Sequence, residues 1–197
     1  MKKHTIFPNK PIEKTGPISR TFLSLGIRDF QDACRYVHEL PYGYNSNRDD
    51  VMILFKEKKG SCTTKHAVIG TLAIELSLQI VKNIGIYAMT EEIVTGTAKI
   101  LDKYDFPFLP MVHCFLVYQN HRVDLSEGNR NGKNGPIDNF LYTSKVAENI
   151  SEKDEYLLYR QVLKDVVLSR QEMKGVRLKT ILKAREDGLT LLRANIA

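Results

Sequence analysis

The stretch GSCTTKHAVIGTLAIELSLQIVK, residues 60–82, decides the fold. Its apolar residues leave few polar breaks, which is typical of a helix that is buried on nearly every side. Cys62 stands near the start of this stretch, directly after Ser61, a residue type that is favoured as a helix N-cap. The sequence therefore predicts a central buried helix over about residues 62–82 that presents a thiol at its N-terminus.

The bulk composition is that of one ordinary globular domain. The chain has 197 residues, of which 43% are hydrophobic and 26% are charged. Three cysteines do not suggest a disulfide framework, and reduced thiols are typical of a cytoplasmic location, which we expect. The N-terminal residues lack the apolar segment of a signal peptide, and no apolar run approaches the roughly 20 residues of a membrane span. We therefore expect no membrane association.

The net charge of +6 raises the question of an anionic partner. The basic residues are scattered, with local density only at residues 56–59 and 174–185. Neither an aromatic and basic ladder nor zinc-finger spacing accompanies them. We interpret them as a solvated surface and expect no nucleic-acid partner.

The order of the predicted elements indicates an α+β fold. Residues 1–20 contain prolines and charges without periodicity and predict an N-terminal arm, so that residues 21–197 form a single domain. The remaining patterns predict a helix over 24–40, a strand over 84–89, a hairpin of strands 111–118 and 121–125, a loop over 126–136, and a C-terminal helical extension from about residue 151, with helices over 151–170 and 175–194.

Cys62 is a candidate nucleophile because of where it stands. At a helix N-terminus the unpaired amides and the helix dipole lower the pKa of a thiol. The same N–H groups can stabilise an oxyanion that develops during acyl transfer, and Gly60 would allow a substrate backbone to approach. The alternative is that Cys62 is a small apolar residue of the core.

The predicted hairpin supplies a base for the thiol and a partner for that base. A two-residue Gln119–Asn120 turn pairs Tyr118 with His121, which makes His113 and Asp124 diagonal neighbours on one face. A shift of one residue would move Asp124 to the other face. Cys114 alternates away from His113, so we expect it in the core. The alternative for His113 is a structural histidine, and the alternative for Asp124 is a surface carboxylate.

Further residues near Cys62 are candidates for oxyanion stabilisation or substrate binding. The loop before the helix offers Tyr42, Tyr44 and Asn45 as donors or as a substrate wall, and Ser61 adjoins the nucleophile. His66, four residues after Cys62, shares its helix face and is a rival base, although a supporting role is favoured. These side chains extend the candidate site beyond the triad.

Metal binding is a remaining alternative. Zinc ligands could be drawn from Cys62, His66, His113 and either Cys114 or Asp124. The chain has no CxxC pair, and alternation along the strand places only one of His113 and Cys114 on the side of the site. We therefore expect neither a metal nor another cofactor.

Three short segments together resemble a known superfamily: Lys-Gly-Ser-Cys62 before an apolar helix, Val-His113-Cys-Phe-Leu-Val, and Arg-Val-Asp124-Leu. Over roughly residues 50–126 they are similar to the transglutaminase-like branch of the papain-type cysteine protease fold. The resemblance implies a core in which the cysteine-bearing helix packs on an antiparallel sheet, here with additional C-terminal helices.

The resemblance also implies a chemistry. Members of the superfamily include transglutaminases, proteases, amidases and peptide N-glycanases. It therefore implies a Cys62–His113–Asp124 triad that carries out thiol-dependent acyl transfer or amide hydrolysis on a peptide, a protein or a small amide. A catalytically inactive binding or scaffold protein of the same type is the alternative.

Overall fold

The computed structural model describes residues 3–196 and confirms the α+β class. A four-stranded antiparallel sheet has the strand order β3-β2-β1-β4. The strands are β1 (Val81–Met89), β2 (Leu109–Tyr118), β3 (His121–Val123) and β4 (Tyr142–Lys145). The helices in this part of the chain are α1 (Pro17–Ser24), α2 (Phe30–Glu39), α3 (Ile53–Glu57), α4 (Cys62–Glu75), α5 (Thr97–Tyr104), α6 (Glu152–Val162) and α7 (Leu178–Ala194).

The central helix α4 begins at Cys62 as predicted but ends earlier than expected. The helix is buried almost without interruption as far as Ala73. Ser77 then takes a left-handed φ of 55°, and the amide of Leu78 donates to the carbonyl of Ala73, which is a common way for a helix to end. The apolar residues beyond this point continue into β1. The apolar pattern therefore did not show where the helix ends.

The hairpin of β2 and β3 has the predicted register. Gln119 and Asn120 form its two-residue turn, and both have positive φ values, of 47° and 65°. Such a turn matches the twist of the flanking strands. Tyr118 pairs with His121 and Val117 pairs with Arg122. Because β3 ends at Val123, Asp124 is the first residue beyond the ladder.

Where the structure describes it, the N-terminal segment packs against the rest of the chain, and the helix predicted over residues 24–40 is shorter because a separate helix precedes it. Helix α1 already begins at Pro17, and Phe7 and Ile12 are buried in the core. The start of the second helix is set by Asp29, whose side chain accepts a hydrogen bond from the amide of Asp32. Irregularly spaced apolar residues lack a helical period, so the pattern could not show that they pack.

The two sides of the molecule have separate apolar clusters. One joins α1, α2 and α4 to Leu116 and Val123 of the hairpin. The other joins β1 and β2 to α5, α6 and α7, with buried residues such as Met89, Ile181 and Leu192. The C-terminal helices therefore contribute to one of the two main clusters of the core.

Helix α6 begins as predicted, and α7 lies very close to the sheet. The hydroxyl of Ser151 accepts a hydrogen bond from the amide of Asp154 at 3.0 Å and caps α6. In α7, a Cβ on Gly188 would lie 2.6 Å from Cδ2 of Leu109 in β2. Only glycine allows the helix to approach the strand this closely.

A short backbone pairing holds the loop beside the start of α4. The amide of Gly60 donates to the carbonyl of Pro41, and the amide of Gly43 donates to the carbonyl of Gly60. This pairing brings Tyr42 next to Cys62. A Cβ on Gly60 would lie 2.8 Å from Oγ1 of Thr64, so the protein itself fills the space that we expected a substrate to use.

Replacing Gly60 by alanine should destabilise the protein. The new Cβ would also lie 2.9 Å from Cδ1 of Leu54. We expect the free energy of unfolding in urea to fall by about 1–3 kcal/mol, as for other overpacked sites. Gly135→Ala is the matched control, because its Cβ would meet nothing within 4 Å. Equal stability of the two variants would contradict this account of Gly60.

Candidate active site

Cys62, His113 and Asp124 come together at the junction of α4 with the hairpin. Cys62 is the first residue of α4, His113 lies in β2 opposite Gly85, and Asp124 directly follows β3. Nε2 of His113 and Oδ2 of Asp124 are 2.7 Å apart. Both side chains are buried or nearly so, with 2% and 12% of their surface exposed. Residues far apart in the chain thus form one buried array.

Asp124 is held as a carboxylate in a fixed orientation. Its Oδ1 accepts hydrogen bonds from the amide and from the hydroxyl of Ser126, both at 2.7 Å. Burial would raise the pKa of Asp124, but the charge and hydrogen bond of His113 keep that pKa well below its usual range. The hydrogen bond from the Ser126 hydroxyl acts in the same direction. Oδ2 is therefore ionised and directed to His113.

His113 is poised as a cation with one nitrogen left for Cys62. Burial alone would lower its pKa, but the negative charges of Asp124 and Cys62 outweigh burial and raise the pKa to about 9. Since Asp124 occupies Nε2, the remaining nitrogen is Nδ1. It is buried and has no hydrogen-bond partner within the described residues. The thiol of Cys62 lies within its electrostatic reach.

Cys62 is poised as the matching anion. A hydrogen bond from the thiol of Cys114 contributes most to lowering its pKa, and burial opposes this effect. The charge and hydrogen-bonding capacity of His113 and the charge of Lys133 lower the pKa further, to well below the ordinary value of a thiol. The favoured pair is therefore a thiolate and an imidazolium, which is the reactive state of a cysteine nucleophile.

Cys114 is buried as predicted, but it is not remote from the site. It belongs to a small apolar cluster with Cys62, Ile84 and Tyr42, and its Sγ lies 3.7 Å from Oγ1 of Thr63. Its hydrogen bond to Cys62, together with burial, raises the pKa of Cys114, which keeps it a thiol donor. Alternation along β2 predicts which way Cys114 faces, but it does not predict how closely the start of α4 approaches Cys114. It therefore did not reveal this contact.

Tyr42 is the loop residue that reaches the nucleophile. Its hydroxyl lies within hydrogen-bonding reach of the backbone N–H and of the thiol of Cys62. Burial, followed by the charge of Cys62, raises the pKa of Tyr42 well above its ordinary value, so the hydroxyl keeps its proton. The N–H of Cys62 is directed to the oxygen of this hydroxyl, and the hydroxyl proton is directed to the sulfur, so the Tyr42 hydroxyl is the donor beside the sulfur.

Tyr44 and Ser61 border the cavity that opens beside Cys62. The ring of Tyr44 lies under the guanidinium of Arg193, at 5.0 Å, and burial raises its pKa to about 12. Ser61 occupies the N-cap position in an extended conformation, as expected, but its hydroxyl makes no capping bond. Both residues can contact a substrate.

Asn45 also borders the cavity, but its amide is committed to the protein. Nδ2 donates to Oε2 of Glu57 and to the carbonyl of Lys59, at 2.9 and 3.0 Å. Oδ1 accepts from the hydroxyl of Thr64 at 2.8 Å. Asn45 fastens the loop to the first turn of α4, which leaves it no amide hydrogen for an oxyanion.

His66 supports the site from behind. It is fully buried, and its Nε2 accepts a hydrogen bond from the amide of Leu125 at 2.8 Å. Nδ1 therefore carries the proton and donates to the carbonyl of Cys62 at 2.6 Å. Burial lowers the pKa of His66 to about 4, so it is neutral. It ties the residue that carries the thiol to the residue after Asp124 and does not border the cavity.

The thiol is reached through a cavity of about 170 Å³. Its walls are the loop around Tyr44, the start of α4, and the face of α7 that carries Leu189 and Leu192. Arg48 in the loop forms a two-pronged ion pair with Glu155 in α6, at 2.8 and 2.6 Å. His113 and Asp124 border a separate, much smaller space. A substrate would therefore reach the sulfur through the larger cavity.

Comparison with known proteins does not assign the chain to a family: no protein-family model, curated protein or solved structure matches it. Between residues 3 and 196, no helix is both long and apolar enough to cross a lipid bilayer. In the same part of the chain, no three histidine, cysteine or acidic residues are grouped so as to hold a metal ion.

The reactivity of Cys62 should depend on pH as expected for an ion pair. We expect alkylation by iodoacetamide to be near its maximal rate at about pH 6, where a thiol of pKa about 8.5 is less than about 1% ionised. Mass spectrometry of the peptide that contains Cys62 measures the rate, and Cys62→Ser should abolish that label. A half-maximal rate near pH 8.5 would disprove the ion pair.

Asp124→Asn should weaken the ion pair. Removing this negative charge lowers the pKa of His113, and the thiolate then loses its cation at neutral pH. We expect the pH at which alkylation is half-maximal to rise by about one unit or more. Asp138→Asn is the control, because Asp138 is exposed and its ion pair is with Arg122. Equal profiles for the two variants would contradict the role of Asp124.

Proposed function

We propose that this chain is an enzyme of transglutaminase-like type that uses Cys62 for thiol-dependent acyl transfer or amide hydrolysis. The observation that carries the proposal is the buried array of Cys62, His113 and Asp124, in which a 2.7 Å contact orients the imidazole. A cysteine-bearing helix packed on antiparallel strands also supports a transglutaminase-like core. The function suits a cytoplasmic compartment that keeps the thiol reduced.

In the first half of the reaction, the Cys62 thiolate attacks the carbonyl carbon of an amide. The carbonyl oxygen becomes an oxyanion and accepts a hydrogen bond from the hydroxyl of Tyr42, and it displaces that hydroxyl's oxygen as the acceptor for the N–H of Cys62. The imidazolium of His113 gives its Nδ1 proton to the leaving amine, and the carbon–nitrogen bond breaks. Asp124 holds the ring and stabilises its positive charge. The product is a thioester on Cys62.

In the second half, His113 acts as a base through the same nitrogen. Nδ1 takes a proton from water or from an amine, which attacks the thioester carbonyl, and the thiolate of Cys62 leaves. Water gives amide hydrolysis and an amine gives acyl transfer. The chemistry suits a peptide, a protein or a small amide as the substrate, and these steps use only side chains and backbone of this chain.

An activated ester tests this chemistry without knowledge of the natural substrate. With p-nitrophenyl acetate we expect a burst of p-nitrophenol, acetylated Cys62 in the intact mass, and slower turnover. Cys62→Ala should abolish all three. Tyr42→Phe should lower the acylation rate by about 10²- to 10³-fold, the usual effect of removing one oxyanion donor.

Cys34→Ala is the matched control for this experiment. Cys34 is a buried thiol in α2, within the cluster on the other side of the molecule, and burial raises its pKa. The variant should retain the burst. A protein whose Cys62 is alkylated rapidly but is never acylated would contradict the proposed function and favour the inactive scaffold.

A further inference from the structure

The cavity beside Cys62 has more positive than negative charge. Its charged lining residues are Arg48, Lys133, Arg185, Arg193, Glu152 and Glu155. Arg48 and Glu155 neutralise each other through their two-pronged ion pair. Arg185 pairs with Glu186 at 2.8 Å, so Lys133 and Arg193 remain against Glu152, whose side chain is exposed. An excess of positive charge in a partly enclosed space attracts anions.

Lys133 is the lining cation that lies over the ring of Tyr42. Its Nζ lies 5.7 Å from the centre of the Tyr42 ring, and no carboxylate within residues 5–196 forms an ion pair with it. Burial lowers the pKa of Lys133, and the negative charges of Cys62 and Asp124 act in the opposite direction. Once Cys62 carries an acyl group the thiolate charge is gone, so the charge of Lys133 is left partly uncompensated on the side of the substrate.

Arg185 and Arg193 lie on one face of α7, two turns apart, with Leu189 between them. The guanidinium of Arg193 lies over the ring of Tyr44 at 5.0 Å, and that of Arg185 lies over the ring of Tyr159 at 5.2 Å. Stacking on an aromatic ring leaves the N–H edge of the Arg193 guanidinium free, and this edge matches a carboxylate. Arg185, in contrast, already forms an ion pair with Glu186 through Nη1 at 2.8 Å.

The size of the cavity and its apolar walls limit what the cations can bind. About 170 Å³ admits a group of roughly side-chain size, and Met111, Leu189 and Leu192 supply apolar surface between the charges. A group with a short apolar stem and a terminal carboxylate satisfies both features. A large polyanion would not enter.

We infer that this cavity binds the carboxylate of an amide substrate, so that the thiol acts on acyl groups that carry a negative charge close to the reacting carbonyl, such as that of an acidic residue. This inference rests on the proposed function, because it names the substrate class of the same thiol. It assigns Lys133 and Arg193 to carboxylate binding.

Two alkylating reagents of similar size but different charge test the inference. Iodoacetate carries the carboxylate that the cavity should attract, whereas iodoacetamide is neutral. The ratio of their rates at Cys62 cancels the fraction of thiolate. We expect this ratio to exceed that of N-acetylcysteine by about tenfold, the lower end of electrostatic steering, and to fall as salt is added.

Variants show which charges are responsible. Lys133→Gln and Arg193→Gln should each reduce the ratio several-fold, whereas Lys179→Gln should leave it unchanged. Lys179 lies at the other end of α7, is exposed and does not border the cavity. Because Lys133 also lowers the pKa of Cys62, the iodoacetamide rates are compared at a pH at which Cys62 is fully ionised, where they report whether each site is intact. Glutarate should also protect Cys62 from iodoacetamide, and the matched diamide should not.

The outcomes separate the two proposals. Rapid alkylation by iodoacetamide with no preference for iodoacetate would overturn the carboxylate site and leave the thiol chemistry standing. Slow alkylation by both reagents would contradict the proposed function itself. A preference that persists in both variants would show that Lys133 and Arg193 do not bind the carboxylate.

Discussion

The arrangement of the site depends on how the first turn of α4 is fastened to the end of the hairpin. His66 makes this connection, since one ring nitrogen donates to the carbonyl of Cys62 and the other accepts from the amide of Leu125. Both bonds are buried, where losing either would leave an unpaired polar group at a cost of about 1–3 kcal/mol. The backbones that carry the thiol and the carboxylate are therefore held in register, and His113 lies between their side chains.

Local signals in the sequence were sufficient for the parts of the site that lie on single elements. Ser61 and the apolar run after it placed Cys62 at a helix start, and the alternation around Gln119 and Asn120 predicted the register of the hairpin. The turn chemistry and the strand period both act over a few residues, so a single chain was enough to show them. The diagonal placement of His113 and Asp124 followed from that register.

The rest depends on contacts between distant segments, for which the sequence carries no local pattern. Lys65 illustrates this: we interpreted the basic residues as a solvated surface, yet Lys65 is fully buried and its Nζ donates to the carbonyls of His38 and Leu40. Lys133 lies in an irregular loop, and nothing in its neighbours indicates that it reaches Cys62. Strand β4 is short and polar, and it exists because β1 offers an unpaired edge.

The close contact of Gly188 with Leu109 also governs the rigidity of the cavity. Arg185, Leu189 and Leu192 flank this contact, and they form the wall opposite the loop. Because the wall belongs to a helix locked onto the sheet, its side chains are preorganised before any ligand arrives. Little backbone entropy would then be lost on binding. Because α7 forms this wall, a substitution that loosens the core beneath α7 would reduce the selectivity of the cavity before it unfolded the protein.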